Sequence, residues 1–359
     1  MKSNYLHLID LNDYSVQVWN KVIELGAAIK KRPDKYSDRC VGKVMATLFY
    51  EPSTRTQMSF QAAMIRLGGS IIGFDNPATS SVAKGECLKD TAKIISSYSD
   101  IIVMRHPLEG SVKAAALTSD CPVINAGDGG HLHPTQTLTD LLTLHEEKGR
   151  LTGLTIGLCG DLRNGRTVHS LCKALSCYAD NRFILISTSK LGLPAYVKAE
   201  ITKNGCTYKE VSSIDECIGG LDVLYMTRIQ KERFSSEEEY LAQKDVYRLD
   251  TEKMKKAPAE MIVMHPLPRV DEIAPEVDDD SRALYFKQAE YGLYVRMALI
   301  MTMLENQRPT QLLHGRTYPG IKCDNLKCIT KAESYLPRSF KGCGDTLECE
   351  YCDAKQLMK

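Results

Sequence analysis

Short runs of apolar residues alternate along the chain with longer runs in which apolar residues recur at helical spacing. The short runs, rich in β-branched residues, occupy 44–50, 70–74, 100–106, 122–126, 154–160, 182–188, 222–227 and 261–265. Between them, segments such as 56–68 and 167–179 carry apolar residues every three or four positions. Strands that alternate with helices predict parallel α/β sheets, because each parallel crossover needs a connecting segment, usually a helix.

The strand-like runs form two groups joined by one helical segment. Four runs precede residue 130 and four follow residue 150, with a helical pattern from Thr135 to Lys148 between them. A long, largely apolar helical pattern at 281–307 should be buried and should return to the first group. We predict two doubly wound parallel-sheet α/β domains, with residues 1–134 and 286–308 in the first and residues 135–285 in the second.

The charge balance excludes several classes of partner. The 359 residues include 46 Lys and Arg against 45 Asp and Glu, a net charge of +1, without a basic tract. This composition disfavours a nucleic-acid-binding surface, although a small anion needs only local positive charge. The N-terminal sequence MKSNYLHLID lacks the apolar core of a signal peptide, and no segment approaches the roughly 20 apolar residues that span a bilayer. We predict a cytoplasmic chain without nucleic-acid or membrane partners.

The segment PSTRT, residues 52–56, lies where a strand gives way to a helix. In open α/β sheets, ligands bind outside the carboxyl ends of the strands, where helix N-termini present free N–H groups. Ser53 is a favourable N-cap, Thr54 and Thr56 add hydroxyls, and Arg55 adds a planar fork that suits a phosphate. From this segment alone, an ordinary capped helix with an exposed arginine is an equal alternative.

Three more polar segments follow predicted strands. Arg105 lies near the end of the third run, His133 and Gln136 flank the start of the bridging helix, and HPLPR begins at the end of the last run, at 265–269. A metal site formed by His131 and His133 is disfavoured, because we find no third ligand for it.

The segment GDLRNGRT, residues 160–167, has nearly the spacing of the phosphate-binding loop of nucleotide hydrolases. It follows a strand and opens a helix, but Arg166 occupies the position where that loop needs a lysine. A bulky guanidinium does not replace the compact ammonium that reaches between the phosphates. We therefore do not favour a nucleotide hydrolase.

Seven segments carry most of these polar residues: STRT at 53, SSVAKGE at 80, MRHP at 104, HPTQ at 133, GDLRNGRTVHS at 160, YMTRIQKER at 225 and HPLPRVDEI at 265. Taken together and in this order, they closely resemble the catalytic chains of aspartate transcarbamoylases. The resemblance runs from about residue 5 to residue 307.

The related ornithine transcarbamoylases share the phosphate signature but differ at three places. They typically have His-Cys-Leu-Pro where this chain has HPLP at 265–268, and they lack the loop lysine represented here by Lys84. Arg228, in TRIQ, can bind a second carboxylate, which ornithine does not possess. The resemblance therefore implies aspartate as the amino acceptor.

The implied reaction joins carbamoyl phosphate and L-aspartate to give N-carbamoyl-L-aspartate and phosphate, in de novo pyrimidine biosynthesis. This transferase chemistry needs no cofactor, because preorganised cations and N–H donors stabilise the charge on an oxyanion and a departing phosphate. The aspartate amine attacks the carbonyl directly, and the leaving phosphate takes the proton. Lys84 is a rival general base only if its pKa is lowered.

The resemblance assigns roles for carbamoyl phosphate by position. The residues expected to hold the phosphate are Ser53, Thr54, Arg55, Thr56 and Arg105. Thr56 and Arg105 would also polarise the carbamoyl carbonyl, with His133 as a neutral donor. Gln136 would bind the carbamoyl amide.

Other positions are assigned to aspartate. Arg166, Arg228 and Gln230 would hold its carboxylates, and the backbone carbonyl of Leu267 would hold an N–H group near the attack position. The family commonly has a Lys-Tyr pair where this chain has Arg163 and Asn164, so the contacts to aspartate are expected to differ here.

Ser80 and Lys84 lie in NPATSSVAKGE, whose small and polar residues indicate a flexible surface loop. In the family, the matching loop enters the active site of the neighbouring subunit. The resemblance therefore implies a homotrimer with shared active sites, and a larger assembly through the C-terminal region stays open.

The C-terminal region needs its own explanation. Five of the thirteen cysteines lie between residues 323 and 352, in a segment rich in Lys, Gly and Pro. Four of them form the pattern C-x4-C, twenty residues, C-x2-C: Cys323, Cys328, Cys349 and Cys352. Two close pairs separated by a loop suit tetrahedral zinc, and zinc is favoured over disulfides in a cytoplasmic chain. Cys343 is a spare thiol or an alternative ligand.

We predict a structural zinc domain at 315–359. Its NLKCITKAES and LECEYC segments also resemble the zinc domain of the separate regulatory chain of aspartate transcarbamoylases, here fused to a catalytic-type chain. Two alternatives to the aspartate enzyme stay open: a transcarbamoylase with another amino acceptor, and an inactive chain that serves as a zinc-bearing assembly partner.

Overall fold

Helices and strands alternate through the two halves of the chain. The computed structural model describes residues 7–229, 236–238, 247–305 and 312–358, without the side chain of Cys343. The chain divides into one unit of Met1–Thr135 with Leu293–Lys359 and a second unit of Gln136–Gly292.

The first unit contains a four-stranded parallel sheet. Its strands are β1 (Val44–Phe49), β2 (Ser70–Phe74), β3 (Ile101–His106) and β4 (Val123–Asp128), in the order β2-β1-β3-β4. Apolar residues bury β1, β3 and β4, whereas β2 is a largely exposed edge strand. The order changes direction between β1 and β3, which is where ligands bind in sheets of this kind.

The second unit contains a five-stranded parallel sheet. Its strands are β5 (Thr155–Cys159), β6 (Arg182–Ile186), β7 (Thr207–Val211), β8 (Val223–Met226) and β9 (Ile262–Met264), in the order β7-β6-β5-β8-β9. The change of direction falls between β5 and β8. β7 did not stand out in the sequence, because its residues TYKEV are mostly polar and four of the five are exposed.

The helices of the described residues are α1 (Val16–Lys31), α2 (Thr54–Arg66), α3 (Leu88–Tyr98), α4 (Ser111–Ala116), α5 (Pro134–Lys148), α6 (Arg166–Ser176), α7 (Ala195–Lys203), α8 (Thr251–Lys256), α9 (Tyr285–Glu305) and α10 (Ile329–Ala332). The predicted bridging helix is α5, and the predicted long apolar helix is α9, which begins four residues later than the pattern at 281. Within the described residues, no helix combines the length and the apolarity needed to cross a membrane.

The later part of α9 packs in the first unit. The guanidinium of Arg296 donates to the hydroxyl of Ser59 at 3.1 Å and lies 5.2 Å from the ring centre of Phe60, both on α2. Tyr14 contributes a hydroxyl that donates to the sulfur of Met303. These contacts hold α9 against α2 and the segment that precedes α1.

The C-terminal region, which we call the cysteine module (residues 312–358), forms a small antiparallel sheet. Its strands are β10 (Arg316–Thr317), β11 (Ser339–Cys343), β12 (Thr346–Cys349) and β13 (Lys355–Leu357), paired in that order. Its buried residues, including Ile329 and Phe340, belong to the same apolar cluster as Leu88 of α3 and Val112 of α4. The module therefore shares its core with the first unit.

These features confirm the predicted fold class. Two parallel-sheet α/β units are present, and a small C-terminal module carries the four paired cysteines. The strands of the module did not stand out in the sequence, because they are two to five residues long and lack a long apolar period.

Candidate active site

The strand ends of the first sheet bring three predicted segments together. Phe49 at the end of β1 pairs with Arg105, and the next amide, that of Tyr50, donates to the carbonyl of Arg105 at 2.9 Å. On the other side of β3, His106 pairs with Asp128 at the end of β4. Residues 50–56, Arg105 and the turn after Asp128 therefore meet at one edge of the sheet.

The PSTRT segment forms the start of α2. Ser53 is the N-cap residue, but its hydroxyl makes no capping bond within the described residues. The first N–H groups of the helix are therefore available to a ligand, together with the hydroxyls of Thr54 and the buried Thr56. The residue that sequence patterns marked as a cap thus leaves the helix N-terminus open.

Two guanidinium groups lie close together at this edge. Arg105 is largely buried and pairs with Glu51 at 2.5 Å. Burial and the positive charge of Arg105 lower the pKa of Arg55 from its ordinary value. Nε of Arg105 is buried and has no hydrogen-bond partner among the described residues. Two cations that repel each other, one with an unmatched donor, favour an anion beside them.

Gly127 lies where Arg105 and His133 approach each other. Its φ is +124°, and an ideal Cβ there would lie 3.1 Å from Nη1 of Arg105 and 3.5 Å from Cδ2 of His133. His133 itself is buried, and its Nδ1 lies 3.4 Å from the hydroxyl of Thr135. The guanidinium and the imidazole therefore flank one glycine that sequence reasoning did not single out.

A buried carboxylate organises the turn that carries His133. Asp128 accepts from the amides of Leu132 and Gly110 at 3.0 and 2.9 Å. It also lies 3.0 Å from Nδ1 of His131, whose Nε2 lies 3.0 Å from Asp353. Burial opposes the charge on His131, but the bonds to Asp128 and Asp353 outweigh burial and raise its pKa to about 10. Both ring nitrogens of His131 thus have carboxylate partners.

Ser80 and Lys84 lie after β2, in two short 3-10 turns at Pro77–Thr79 and Ser81–Lys84. The Ser80 hydroxyl donates to the carbonyl of Pro77 at 2.8 Å and accepts from the amide of Val82. Lys84 is exposed. The segment predicted as a flexible loop therefore contains defined turns.

The strand ends of the second sheet bring together the other predicted residues. Arg166 is the first residue of α6, which follows β5, and Arg228 follows β8. The amide and hydroxyl of Thr227 both donate to the carbonyl of Cys159, at 2.8 and 2.9 Å. Because β9 is the next strand, the turn at Leu267 lies at the same edge.

The turn after β9 places Leu267 in an uncommon conformation. Its φ is +52°, in the left-handed region that non-glycine residues rarely adopt. Its amide donates to Nδ1 of His265 at 2.8 Å, so the proton of that ring lies on Nε2, which faces Glu272 at 2.7 Å. Burial opposes the charge on Glu272, but the bond from His265 and backbone donors outweigh it and lower its pKa. A leucine in the left-handed region, held by a buried hydrogen-bonded histidine and carboxylate, is typical of a functional turn.

Gln136 belongs to a buried polar network in the second unit. Its amide nitrogen donates to Oδ1 of Asp140 at 2.8 Å. Asp140 also accepts from Gln288 at 2.7 Å and from the hydroxyl of Tyr225 at 3.0 Å. Gln288 in turn accepts from the amide of His265. The network joins Gln136 to the Leu267 turn, and neither Asp140 nor Gln288 was found from the sequence.

The two residues that depart from the family pattern, Arg163 and Asn164, make hydrogen bonds within the second unit. The amide and side chain of Asn164 both bond to Asp161, at 3.0 to 3.2 Å, and Arg163 donates to the carbonyl of Lys190 at 3.4 Å. Gln230, expected to bind aspartate, lies outside the described residues.

The four predicted metal ligands converge in the cysteine module. The sulfur atoms of Cys323, Cys328, Cys349 and Cys352 all lie within 4.8 Å of one another, and all four side chains are buried. Two of the separations are 3.6 Å, between Cys323 and Cys352, and 3.8 Å, between Cys328 and Cys349. A tetrahedron with Zn–S distances of about 2.3 Å has an edge of about 3.8 Å. Cys343 lies in β11, and its side chain is outside the description.

Comparisons with known proteins match both units. The family description "Aspartate/ornithine carbamoyltransferase, carbamoyl-P binding domain" matches residues 6–146, and "Aspartate/ornithine carbamoyltransferase, Asp/Orn binding domain" matches residues 152–303. The chain belongs to the aspartate/ornithine carbamoyltransferase family. The family matches end before the cysteine module.

Relatives within the family are close in sequence. The aspartate carbamoyltransferase catalytic subunit of Clostridium perfringens strain SM101 is 59% identical over 299 residues, which are 83% of this chain and 97% of that protein. The corresponding subunit of Clostridium botulinum strain Langeland is 56% identical over the same shares of the two chains. Both relatives carry the aspartate name rather than the ornithine name.

Solved structures in the family have the same fold. The catalytic subunit of aspartate transcarbamoylase from M. jannaschii is 44% identical, with a TM-score of 0.80, over 84% of this chain and 99% of that chain. The Trypanosoma cruzi enzyme in complex with N-(phosphonacetyl)-L-aspartic acid is 41% identical, with a TM-score of 0.77, over 82% and 95%. Other structures of that enzyme contain carbamoyl phosphate with aspartate, or carbamoyl aspartate with phosphate.

Proposed function

We propose that this protein transfers the carbamoyl group of carbamoyl phosphate to the amine of L-aspartate, giving N-carbamoyl-L-aspartate and phosphate. Family membership supports the donor, and relatives at 55–59% identity that are named aspartate carbamoyltransferase support the acceptor. The ligands bound to the T. cruzi enzyme are the substrates and products of this reaction. The product is the carbamoylated aspartate of pyrimidine biosynthesis, a role that fits a cytoplasmic enzyme.

One observation in this chain carries the proposal for the donor. Arg105 and His133 both lie beside Gly127, within 3.1 and 3.5 Å of where a Cβ would be, and Arg55 is close enough for mutual repulsion with Arg105. An anionic phosphate relieves that repulsion, and the imidazole supplies a neutral donor to an adjacent carbonyl. We assign the phosphate to Arg55, Arg105 and the open start of α2, with Ser53, Thr54 and Thr56.

The same assignment orients the carbamoyl group. Thr56, Arg105 and His133 donate to its carbonyl oxygen, where negative charge develops as the carbonyl carbon becomes tetrahedral. The carbonyl oxygen of Gln136 accepts from the carbamoyl amide, because the Gln136 nitrogen is already bound to Asp140. These contacts strengthen as the reaction proceeds, which is what lowers the barrier.

We assign aspartate to the edge of the second sheet. Arg166 at the start of α6 and Arg228 after β8 bind its two carboxylates, with Gln230 as a further ligand. The backbone carbonyl of Leu267 accepts from the amine and directs its lone pair. Ornithine has one carboxylate and a cationic side chain, so a pair of arginines disfavours it.

The chemical step then needs no protein nucleophile. The amine nitrogen of aspartate forms a bond to the carbonyl carbon, and the carbon–oxygen bond to phosphate breaks, with its electron pair leaving on the phosphate. The amine proton passes to a phosphate oxygen. We assign Lys84 to the catalytic groups, as a cation for the departing phosphate, and Ser80, on the same loop, to substrate binding.

A steady-state assay with two acceptors tests the proposal. The purified chain is given carbamoyl phosphate with either L-aspartate or L-ornithine, and carbamoylated product and phosphate are both measured. We expect equal amounts of carbamoyl-aspartate and phosphate, and little citrulline. Citrulline as the main product would support the ornithine alternative, and no product with either acceptor would support an inactive assembly partner.

We also propose that the four clustered cysteines bind one structural Zn²⁺. Their donor set, their burial and sulfur separations near the edge of a zinc–thiolate tetrahedron support this ligand set. When bound, the ion supplies folding energy to a module too small for a core of its own. Metal analysis of the purified chain should find about one zinc per chain.

We further propose a homotrimer in which Ser80 and Lys84 act in the neighbouring active site. The first unit offers a surface for a second copy: β2 is an exposed edge strand, with Ile72 39% exposed, and α2 exposes Met58 at 63% and Ile65 at 58%. Apolar side chains beside an edge strand are typical of an interface between subunits. The native mass measured by light scattering should be three times that of the chain or a multiple of it.

A further inference from the structure

The cysteine module is fixed to the loop that follows β3. The amide of Glu109 donates to the carbonyl of Lys327, and the amide of Ile329 donates back to the carbonyl of Glu109, both at 2.9 Å. The side chain of Asn325 donates to the Glu109 carboxylate at 2.7 Å. These bonds involve the segment of the first cysteine pair, Cys323 and Cys328, since Lys327 directly precedes Cys328. The module is thus bonded to the sheet edge that carries Arg105.

The second cysteine pair makes the next set of contacts. Lys113 at the start of α4 donates to the carbonyl of Glu350 at 2.6 Å. Gly110 has a φ of +82°, and a Cβ there would lie 2.5 Å from the carbonyl oxygen of Tyr351. Glu350 and Tyr351 are the two residues between Cys349 and Cys352. The backbone of this cysteine pair therefore lies directly against the first unit.

Asp353 extends this contact to the turn that precedes His133. It follows Cys352 directly, has a φ of +57°, and its carboxylate lies 3.0 Å from Nε2 of His131. The His131 side chain is 12% exposed, and its Nδ1 is bonded to the buried Asp128. Both nitrogens of one imidazole are therefore held, one by the active-site turn and the other by the cysteine module.

The turn held in this way carries the groups assigned to the carbamoyl carbonyl. Asp128 fixes it from within, through the amide of Leu132 and the side chain of Asn125, at 3.0 and 3.2 Å. His133 follows Leu132, and Gly127 precedes Asp128. A rotation of the His131 ring would therefore displace both ends of the turn, which are His133 at one end and Gly127, beside Arg105, at the other.

We propose that Asp353 is a positioning residue for carbamoyl phosphate, which acts through His131 to hold the turn of residues 127–133 in the geometry that Arg105 and His133 need. The cysteine module thereby contributes a side chain to the organisation of the active site in the same chain. The inference rests on the proposed function for the identity of the substrate. The property that Asp353 is proposed to support, anion binding at Arg55 and Arg105, can be measured without turnover.

The test is a double-mutant cycle with the full chain in its metal-bound state. Asp353→Ala removes the carboxylate, and His131→Asn keeps a donor for Asp128 while it loses the reach to Asp353. Asp345→Asn is the matched control, because Asp345 is an exposed carboxylate of the same module whose backbone carbonyl accepts from Met358. Four quantities are measured for each variant: the Kd of inorganic phosphate by calorimetry, kcat, the KM of each substrate, and bound metal.

We expect Asp353→Ala and His131→Asn each to raise the phosphate Kd and the KM of carbamoyl phosphate by about 5- to 20-fold, since each loses one charge-assisted bond. The KM of aspartate and the metal content should stay as in the original chain. The double variant should be no worse than the poorer single variant, because both changes break the same contact. Asp353→Asn should restore part of the effect, and Asp345→Asn should match the original chain.

Two results would overturn the inference. One is a phosphate Kd that does not follow the cycle while the metal content is full, either unchanged in a single variant or raised multiplicatively in the double variant. The other is loss of metal in parallel with loss of phosphate affinity, which would make Asp353 a residue for folding of the module. Failure of the proposed function is distinct: the original chain would then bind phosphate as the cycle requires but form no carbamoyl-aspartate.

Discussion

Gly127 shows how one position without a side chain shapes the proposed donor site. A Cβ at this residue would lie within 3.5 Å of both Arg105 and His133, so glycine is what lets the guanidinium and the imidazole approach each other. The backbone φ of +124° is a second reason, because L side chains rarely adopt it. Steric and conformational requirements therefore coincide at this residue.

Replacement of Gly127 separates these two requirements. Gly127→Ala should lower kcat/KM for carbamoyl phosphate by about 100-fold, because Arg105 or His133 must move. Gly149→Ala is the control: its φ is +66° and a Cβ there has no atom within 4 Å. We expect it to cost about 1 kcal/mol of stability and no activity. Equal kinetics for the two variants would remove Gly127 from the site.

The buried His7 and the partly buried His106 predict how stability depends on pH. Nδ1 of His7 accepts from the amide of Val123, and Nδ1 of His106 accepts from the amide of Leu108, at 3.2 and 3.0 Å. Burial lowers the pKa of each to about 4, although Asp128 and the Leu108 bond oppose the shift at His106. Each group therefore binds a proton more tightly in the unfolded chain than in the folded one.

It follows that the free energy of unfolding falls as pH drops from about 6.5 to about 4, by up to the order of 3 kcal/mol per histidine. Urea unfolding at about pH 7.5 and about pH 5.5 measures this slope. His7→Asn and His106→Asn keep an acceptor that does not titrate, so each should flatten the slope. A slope as steep as in the original chain would contradict the assignment to these histidines.

Among helices and strands, the sequence was most informative where burial is strongest. The eight predicted strands are β1 to β6, β8 and β9. Seven of them are largely buried, because parallel strands covered on both faces are continuous apolar runs, whereas the exposed edge strand β2 was found from its short apolar run SIIGF. The polar edge strand β7 and the short strands of the cysteine module give no such run. The arginines of the candidate site could also be predicted from the sequence. They follow apolar runs, and the carboxyl ends of parallel strands lie at one edge of the sheet.

The polar residues that support the candidate site could not be predicted from the sequence. Asp140, Gln288 and Asp353 each act on a residue far away in the sequence, and a lone Asp or Gln within a helix or after a cysteine has no distinctive pattern. Their roles depend on tertiary contacts that only the fold defines. The open N-terminus of α2 is a related case. Serine is a common N-cap residue, but the Ser53 hydroxyl makes no capping bond in the described residues.

The shared core of the cysteine module and the first unit predicts a common response to metal removal. Cys349→Ser removes one ligand of the proposed zinc site, and the apolar cluster that joins Leu347 and Phe340 to α3 and α4 should then loosen. We expect loss of bound zinc and a melting temperature lower by about 5 °C or more.

Cys177→Ser is the control for this change, because Cys177 is exposed and lies outside the cluster. It should keep the metal and the melting temperature. If Cys349→Ser lost its metal without any change in melting temperature, the module would not stabilise the first unit.

For the whole molecule, the assignment of Lys84 to a neighbouring site predicts complementation. Arg55→Ala and Lys84→Ala chains should each be nearly inactive, because each trimer then has three defective sites. Mixed and reassembled chains should recover activity, since some sites receive an intact Arg55 from one chain and an intact Lys84 from another. Mixing two preparations of the same variant is the control, and no recovery in the true mixture would exclude shared sites.

Our central proposal is that cations from distant parts of the chain bind one pair of anionic substrates. Calorimetry with N-(phosphonacetyl)-L-aspartic acid, the compound bound to the T. cruzi enzyme, measures this most directly. We predict tight binding, about one molecule per chain, weakened by about 100-fold or more in both Arg55→Ala and Arg228→Ala, and unchanged in Arg39→Ala, an exposed arginine elsewhere. Undiminished affinity in both Arg55→Ala and Arg228→Ala would contradict the proposal.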